Sequence, residues 1–326
     1  MFKNLHFYEI QPGWNPSRAD VADALAREAF APCGATQPVA AGFVTPRGLD
    51  HAPLVESVAD QWLLTLLQER KLLPSSVLRD EVQAQARRIE AETGRKPGKR
   101  QLRELKNQAQ QALLPQAFTK QSRFKVWIDP QARRLMLDAS SPARAEELVS
   151  LLIQAQPGLA LRALQTALTP ATAIAGWLLE NEAPPHFSVD RECELKADDE
   201  SKAVARYARH RLDTDEVRQH IEQGKRPTRL ALTWRGRVSF VLADSGALRK
   251  IDFLDVLFER RNKPADEQEA FDADLALASG ELGQLIPELI DALGGALDPT
   301  ATAPDAPVAE PRPAAALATD TSPSWA

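Results

Sequence analysis

The chain has 326 residues, 44% of them hydrophobic and 26% charged, which supplies ample material for a buried core and fits an ordinary soluble protein of two or three domains. Forty Lys and Arg stand against forty-five Asp and Glu, and the net charge of -5 excludes a histone-like polycation. Any binding to nucleic acid must then come from uneven placement of charge rather than from the total. No run approaches the roughly 18 apolar residues that cross a bilayer. Met1-Phe2-Lys3-Asn4 also lacks the apolar core of a signal peptide, so a cytoplasmic protein without a membrane is expected. Cys33 and Cys193 lie far apart, with no His or Cys at metal-ligand spacing, and read as two buried thiols.

Phe2 to Ile10 alternates as a strand, and Ser17 is placed to cap a helix over Ala19 to Phe30. Trp62 to Leu67 reads as a short buried strand ending in the charged turn Gln68 to Lys71. From Ser75 to Gln111 the chain is rich in Ala, Gln, Glu, Lys and Arg, broken only at Thr93 to Lys99 by Gly and Pro, which predicts two polar helices joined by a basic turn. Their few apolar residues allow one narrow packed face, so the pair is expected to project from the core.

Arg123 to Asp129 and Arg133 to Ala139 form a strand pair around Asp129-Pro130-Gln131-Ala132, followed by a helix over Ser141 to Gln154. Ala171 to Glu182 and Thr214 to Gln223 are predicted helices, the second capped by Asp213 or Thr214 and stopped by Gly224. Arg229 to Trp234, Arg237 to Ala243 and Ala247 to Phe253 make an antiparallel meander whose turns carry Gly236 and Gly246. Glu267 to Gly294 should be helical, with interruptions near Gly280 and Pro287. From Ala296 onward Ala, Pro, Thr and Asp dominate, and a disordered tail over 297–326 is expected. The fold class is therefore α+β, with antiparallel sheets, packed helices and a projecting helical hairpin.

Charge is concentrated in two zones. Residues 87 to 125 hold eleven Lys or Arg against three Glu, and residues 202 to 237 hold ten against four acids. The compensating acid lies mainly from Asp266 to Asp305, an asymmetry that points to a polyanionic partner. In the first zone the candidates are Arg95, Lys96, Lys99 and Arg100; the plainer account is an exposed helix pair kept soluble by charge and by pairs such as Arg100 with Glu104. In the second zone the candidates are Arg206, Arg209, Arg211, Arg229, Arg235 and Arg237, interleaved with strand-like sequence so that alternate side chains line one face. Phosphate contacts of this kind position a protein without reading bases and weaken steeply with salt. A catalytic reading has little to stand on. Asp272, Asp274 and Glu281 resemble a two-metal carboxylate cluster only in composition and are better explained as a solvated helical face. No phosphate-binding GxxxxGK[ST] loop occurs, the five His are scattered, and neither a metal nor a cofactor is expected.

Several blocks taken together resemble the RdgC family of recombination-associated proteins. They are Phe2-Lys3-Asn4-Leu5, Ala29-Phe30-Ala31-Pro32-Cys33-Gly34, Leu72-Leu73-Pro74-Ser75, Leu113 to Phe118, Trp127-Ile128-Asp129, His220 to Lys225, and Phe271 to Asp274 followed by Ser279 to Leu282. The resemblance runs from residue 2 to about 295. It implies central segments at 1–74 and 119–165, a tip at 75–118 and a base at 166–296. It further implies a ring-forming homodimer whose positive inner surface surrounds duplex DNA with little sequence preference, binds single strands more weakly, and restrains RecA-promoted recombination at the nucleoid. Arg209 and His210 correspond to the basic-polar pair that relatives place before the Leu212 position, and Phe118 to the aromatic near the tip contact that closes the ring. Two other classes are weighed beside it. One is a regulator that touches RecA itself, with the basic zones meeting acidic protein; the other is a metal-dependent nuclease.

Overall fold

Alternating apolar residues in twelve short strands generate two antiparallel sheets, which the computed structural model describes over residues 1–49, 51–258 and 266–297. The expected disordered tail lies, from residue 298 on, outside the described residues. The first sheet holds β1 (His6–Ile10), β2 (Val39–Val44), β3 (Glu56–Val58), β4 (Gln61–Lys71), β5 (Thr119–Asp129), β6 (Arg134–Leu137) and β7 (Leu161–Ala163), in the order β2-β4-β5-β6-β1-β7 with β3 added to β4. Helices α1 (Arg18–Arg27) and α4 (Pro142–Ala155) cover one face, burying Val21, Leu25, Leu148 and Leu152 against Leu64, Leu66, Val126 and Leu137. Ser17 caps α1 as its sequence suggests: its hydroxyl accepts from Asp20 N at 3.2 Å while the Asp20 carboxylate accepts from Ser17 N at 3.0 Å.

The second sheet runs β12-β11-β10-β8-β9, built from β8 (Phe187–Ala197), β9 (Val204–Ala208), β10 (Lys225–Trp234), β11 (Val238–Ala243) and β12 (Leu248–Phe253). Its apolar face, with Leu195, Leu230, Leu232, Trp234 and Leu242, packs on residues of α5 (Pro170–Glu180), α6 (Asp215–Glu222) and α7 (Glu267–Ala292). The same cluster takes in Phe2, Leu63, Trp127 and Met136 from the far face of the first sheet, so one core serves both sheets. Between β4 and β5 stand α2 (Ser75–Thr93), which buries no residue, and α3 (Lys99–Leu113), which buries only Leu105 and Ala109; the two helices pack on each other.

The structure departs from the sequence reading in several places. Strand β4 continues through Gln68 to Lys71, where a turn was expected, because its buried polar groups find partners: Glu69 accepts from Cys33 N at 2.8 Å and Gln121 Nε2 at 2.9 Å. Helix α7 is continuous through Gly280 and Pro287, since burial of Leu282, Leu285, Ile286 and Leu289 outweighs the one backbone bond that proline lacks. Helix α1 ends at Arg27, and Ala29 instead bridges Phe43. Thr214 occupies the cap position of α6 without a capping bond, while Asp213 is held by Arg211. Finally, Cys193 is buried but Cys33 is only half-buried. Among the described residues no helix is long and apolar enough to cross a membrane.

The bridge at Ala29 dictates a residue in β2. A Cβ on Gly42 would lie 2.5 Å from Phe30 Cα and 2.6 Å from Phe30 N, and both are backbone atoms that cannot swing aside. Gly42→Ala is therefore expected to lower stability by about 1–3 kcal/mol, the range of overpacking, through separation of the Ala29 loop from β2. Urea denaturation of the two proteins measures this directly; equal midpoints would mean that the loop yields without cost.

Candidate nucleic-acid interface

Antiparallel register decides which arginines of the second basic zone share a surface. Arg206 on β9 stands opposite Glu194 on β8, which stands opposite Arg229 on β10, so the three side chains share the sheet face away from Leu195, Leu230 and Trp234. Glu194 is the local counterion. Burial opposes its ionisation, but hydrogen bonds from Thr228 and Arg206 at 2.8 and 2.6 Å, with the charges of Arg229 and Arg206, hold its carboxyl below the ordinary range. Farther along the face, Lys250 pairs with Glu192 at 2.5 Å. Arg229 is exposed and has no carboxylate at ion-pairing distance among the described residues.

The segment after β9 carries Arg209, His210 and Arg211, all exposed. Arg209 adopts a left-handed backbone with φ of 56°, which ends the regular strand and turns the chain toward α6. The His210 ring packs near Tyr207, with centroids 5.6 Å apart, and its Nδ1 lies 2.6 Å from the Arg211 carbonyl oxygen. Arg211 is committed to Asp213, whereas Arg209 has no acidic partner among the described residues.

Arg235 and Arg237 belong elsewhere. They flank the β10–β11 turn, and both reach α7: Arg235 pairs with Glu288 at 2.5 Å, and Arg237 with Glu281. Trp234 Nε1 donates to the same Glu288 at 2.7 Å. These two arginines clamp the hairpin to the long helix, which separates them from Arg206, Arg209 and Arg229. Glu281, expected on a solvated face, is instead buried; desolvation pushes its carboxyl pKa up, against the opposing charges of Arg237 and Arg235. Asp272 likewise meets Arg47 at 2.5 Å. Two of the acids considered as metal ligands, Asp272 and Glu281, are thus held in separate ion pairs. No group of three or more His, Cys, Asp or Glu that could hold a metal ion occurs among the described residues.

The candidates of the first basic zone lie at the junction of α2 and α3. Gly94, at φ 69°, stops α2 and donates its N–H to Glu90 O at 2.8 Å. Arg95, Lys96 and Lys99 follow, exposed and without acidic partners among the described residues; Arg100 makes the helical pair with Glu104 at 3.2 Å that its spacing suggests. At the root of the same helices Phe118 is 84% exposed beside Leu72, to whose N–H its carbonyl is bonded at 2.7 Å.

The family model described as "Putative exonuclease, RdgC" matches residues 1–296. The chain belongs to the RdgC family. Among its relatives, the recombination-associated protein RdgC of Dechloromonas aromatica is 42% identical over 298 residues, covering 90% of this chain and 97% of that protein. Those of Cupriavidus pinatubonensis and Bordetella pertussis are 44% and 40% identical over 295 residues, each covering 90% of this chain and 98% of the relative. The RdgC match ends where the β-bridge between Thr166 and Ala296 closes the described fold.

A structural part for Arg237 has a measurable consequence. Without its guanidinium the buried Glu281 carboxylate, whose Oε2 already lacks a partner among the described residues, loses its bonded cation and keeps only the charge of Arg235. Arg237→Met should cost about 1–2 kcal/mol at neutral pH. A carboxyl whose folded pKa lies above the unfolded value destabilises only where it is ionised, so the deficit should vanish below the unfolded pKa and grow as pH rises through the folded one. Adding Glu281→Gln should restore most of the loss; thermal melts of the three proteins between acid and neutral pH show whether it does.

Proposed function

We propose that the protein is a non-enzymatic, sequence-tolerant binder of duplex DNA that closes around it as a homodimer and restrains RecA-dependent recombination. The observation that carries the reading is that, in a chain with excess acid, Arg209 in one zone and Arg95, Lys96 and Lys99 in the other are exposed without an acidic partner among the described residues, while Arg229 is exposed and meets Glu194 only by its charge, not in an ion pair. Cations kept out of ion pairs retain their full attraction for phosphates, and counterion release then supplies affinity without base contacts. Membership of a family whose curated relatives are named recombination-associated proteins directs this to recombination.

In this reading residues 1–74 and 119–165 form the central part, 75–118 a projecting tip and 166–296 the base. Phe118 supports closure beside the root of the helical hairpin, because an aromatic ring left so exposed gains by burial against a second copy. A ring adds kinetic persistence, since release requires opening an interface or sliding off an end. Protein lodged on the duplex in this way obstructs loading and strand exchange by a recombinase filament. Single strands, with fewer phosphates across the channel, bind more weakly.

Two measurements test the proposal. Joint replacement Arg206→Glu, Arg209→Glu and Arg229→Glu should weaken binding to all duplex sequences alike and reduce the salt slope by roughly 0.9 per lost phosphate contact; unchanged affinity at low salt would remove this sheet face from the account. Escape into competitor should be much slower from a closed circular duplex than from a linear one of the same sequence, with both remaining uncut in Mg²⁺. Equal escape would exclude encirclement, and cleavage would exclude the non-enzymatic reading.

A further inference from the structure

We infer that Lys225 is a lysine-acylation site, at which His220 serves as the base and an acyl phosphate such as acetyl phosphate is the acyl donor. Gly224, at φ 89° just past α6, donates its N–H to Ile221 O at 2.9 Å, and the chain doubles back so that the first residue of β10 lies beside the last turn of the helix. Lys225 Nζ thereby stands 2.9 Å from His220 Nδ1. An ammonium group can only donate, so Nδ1 accepts and the neutral imidazole carries its proton on Nε2. Both partners are held in place: Lys225 pairs in register with Ala197 of β8, and the His220 ring packs 6.4 Å from that of Tyr207. Among the described residues no other lysine has an imidazole at hydrogen-bonding distance, and Lys225 enters no ion pair there that would compete for its nitrogen.

Lys225 lines a groove of about 380 Å³ between α5, the end of α6 and the start of β10. That lies at the small end of the range of about 300–1,000 Å³ typical of small-molecule sites. Ala171 and Ala175 make its α5 wall small and apolar, which suits a short acyl group, and Arg226 beside Lys225 supplies a cation for an anionic leaving group. Asp198, the acid lining the groove, pairs with Arg226 at 3.2 Å, but both side chains are largely exposed and such a pair yields readily to a phosphate. In an acyl phosphate the anionic leaving group is bonded directly to the reacting carbon, where the guanidinium can meet it; in an acyl thioester of coenzyme A the phosphates lie far away. One ammonium proton passes from Nζ to His220 Nδ1 and frees the lone pair that attacks. Nζ bonds to the acyl carbon, the bond from that carbon to the phosphate oxygen breaks, and the departing phosphate keeps the electron pair and takes the second ammonium proton. Lys225 is left as a neutral amide, phosphate leaves as its monohydrogen dianion, and His220 returns its extra proton to solvent. Acylation thus removes one positive charge from the edge of the second basic zone.

The experiment incubates the full chain with acetyl phosphate at neutral pH and follows the acetyl occupancy of each lysine over time by peptide mass spectrometry. Lys225, although half-buried, should be acetylated at least about tenfold faster than the exposed Lys96 and Lys99, a modest share of what a positioned base contributes. The variant His220→Gln keeps a hydrogen-bond acceptor near the amine but cannot take its proton. It should bring Lys225 down to the rate of Lys96 while Lys96 and Lys99 keep theirs. A wild-type Lys225 no faster than the exposed lysines overturns the site, and that comparison needs no variant. An unchanged Lys225 rate in a His220→Gln protein whose circular dichroism matches the wild type overturns the part given to His220. Preference for Lys225 with acetyl coenzyme A but none with acetyl phosphate overturns the acyl phosphate as donor.

Discussion

The segment Phe2 to Leu5 ties the two sheets together, and the placement of every charged surface depends on it. Leu5 and Leu248 exchange backbone hydrogen bonds at 2.9 and 3.0 Å, and Ile251 donates to Lys3 O at 3.0 Å, which attaches the segment to the edge strand β12. In the other direction the Asp138 carboxylate, just past β6, accepts from Lys3 N and Asn4 N at 3.1 and 2.9 Å. Phe2 stacks on Trp127 at 5.6 Å within the shared core. Arg249 on β12 completes the joint by donating to the carbonyls of Ala139 and Ser140. Its charge falls near His6, whose imidazole is kept neutral down to about pH 4 by burial and then by that guanidinium. A segment bonded in both directions transmits the orientation of one sheet to the other, so the β8–β10 arginines are held relative to the first sheet and to the helices that spring from it.

Given that joint, the useful distinction among the cations is between those the fold consumes and those it leaves. Arg235, Arg237, Arg47 and Arg144 each meet a carboxylate, those of Glu288 and Glu147 being held also by Trp234 and Gln68, and Arg249 is spent on backbone carbonyls. Such residues lose their attraction for an outside phosphate in proportion to the strength of the internal pair. Among the described residues Arg209 lacks that internal competitor, as do Arg95, Lys96 and Lys99, and Arg229 meets Glu194 without forming an ion pair with it. Arg206 is intermediate: it pairs with Glu194 yet its side chain is 72% exposed, so a phosphate can approach without breaking a buried contact. Local pairing of this kind reconciles a net charge of -5 with a cationic surface.

How far the sequence could be read follows the same logic. Elements whose signals are local were legible: Ser17 before α1, Ser141 before α4, Gly94 between α2 and α3, and the glycine turns of the β10–β12 meander each act within a few residues. Strand β8 was not, because Asp190, Arg191 and Glu192 interrupt its alternation where its pairing with β10 shifts register between Leu230 and Leu232. Strand β2 is short and small-residue-rich, and its identity depends on the distant approach of Phe30 to Gly42. In the site, counting charges located both basic zones but gave Arg235 and Arg237 the same standing as Arg209 and Arg229. Their partners Glu281 and Glu288 lie more than forty residues away on α7, beyond the reach of any local pattern.

The acidic remainder of the chain need not oppose DNA binding. Screening at physiological salt confines each fixed charge to about 8 Å, so a phosphate at the second sheet responds to Arg206, Arg209, Arg229 and their nearest acids rather than to the molecule's total. A net negative protein gains from this arrangement. Its long-range field repels the polyanion weakly and discourages indiscriminate condensation, while contact at the cationic face, once made, is attractive over its full area. On the proposed reading, retention depends on how the contact is enclosed rather than on how many charges the chain carries, so that geometry, more than composition, would govern how long such a protein stays on DNA.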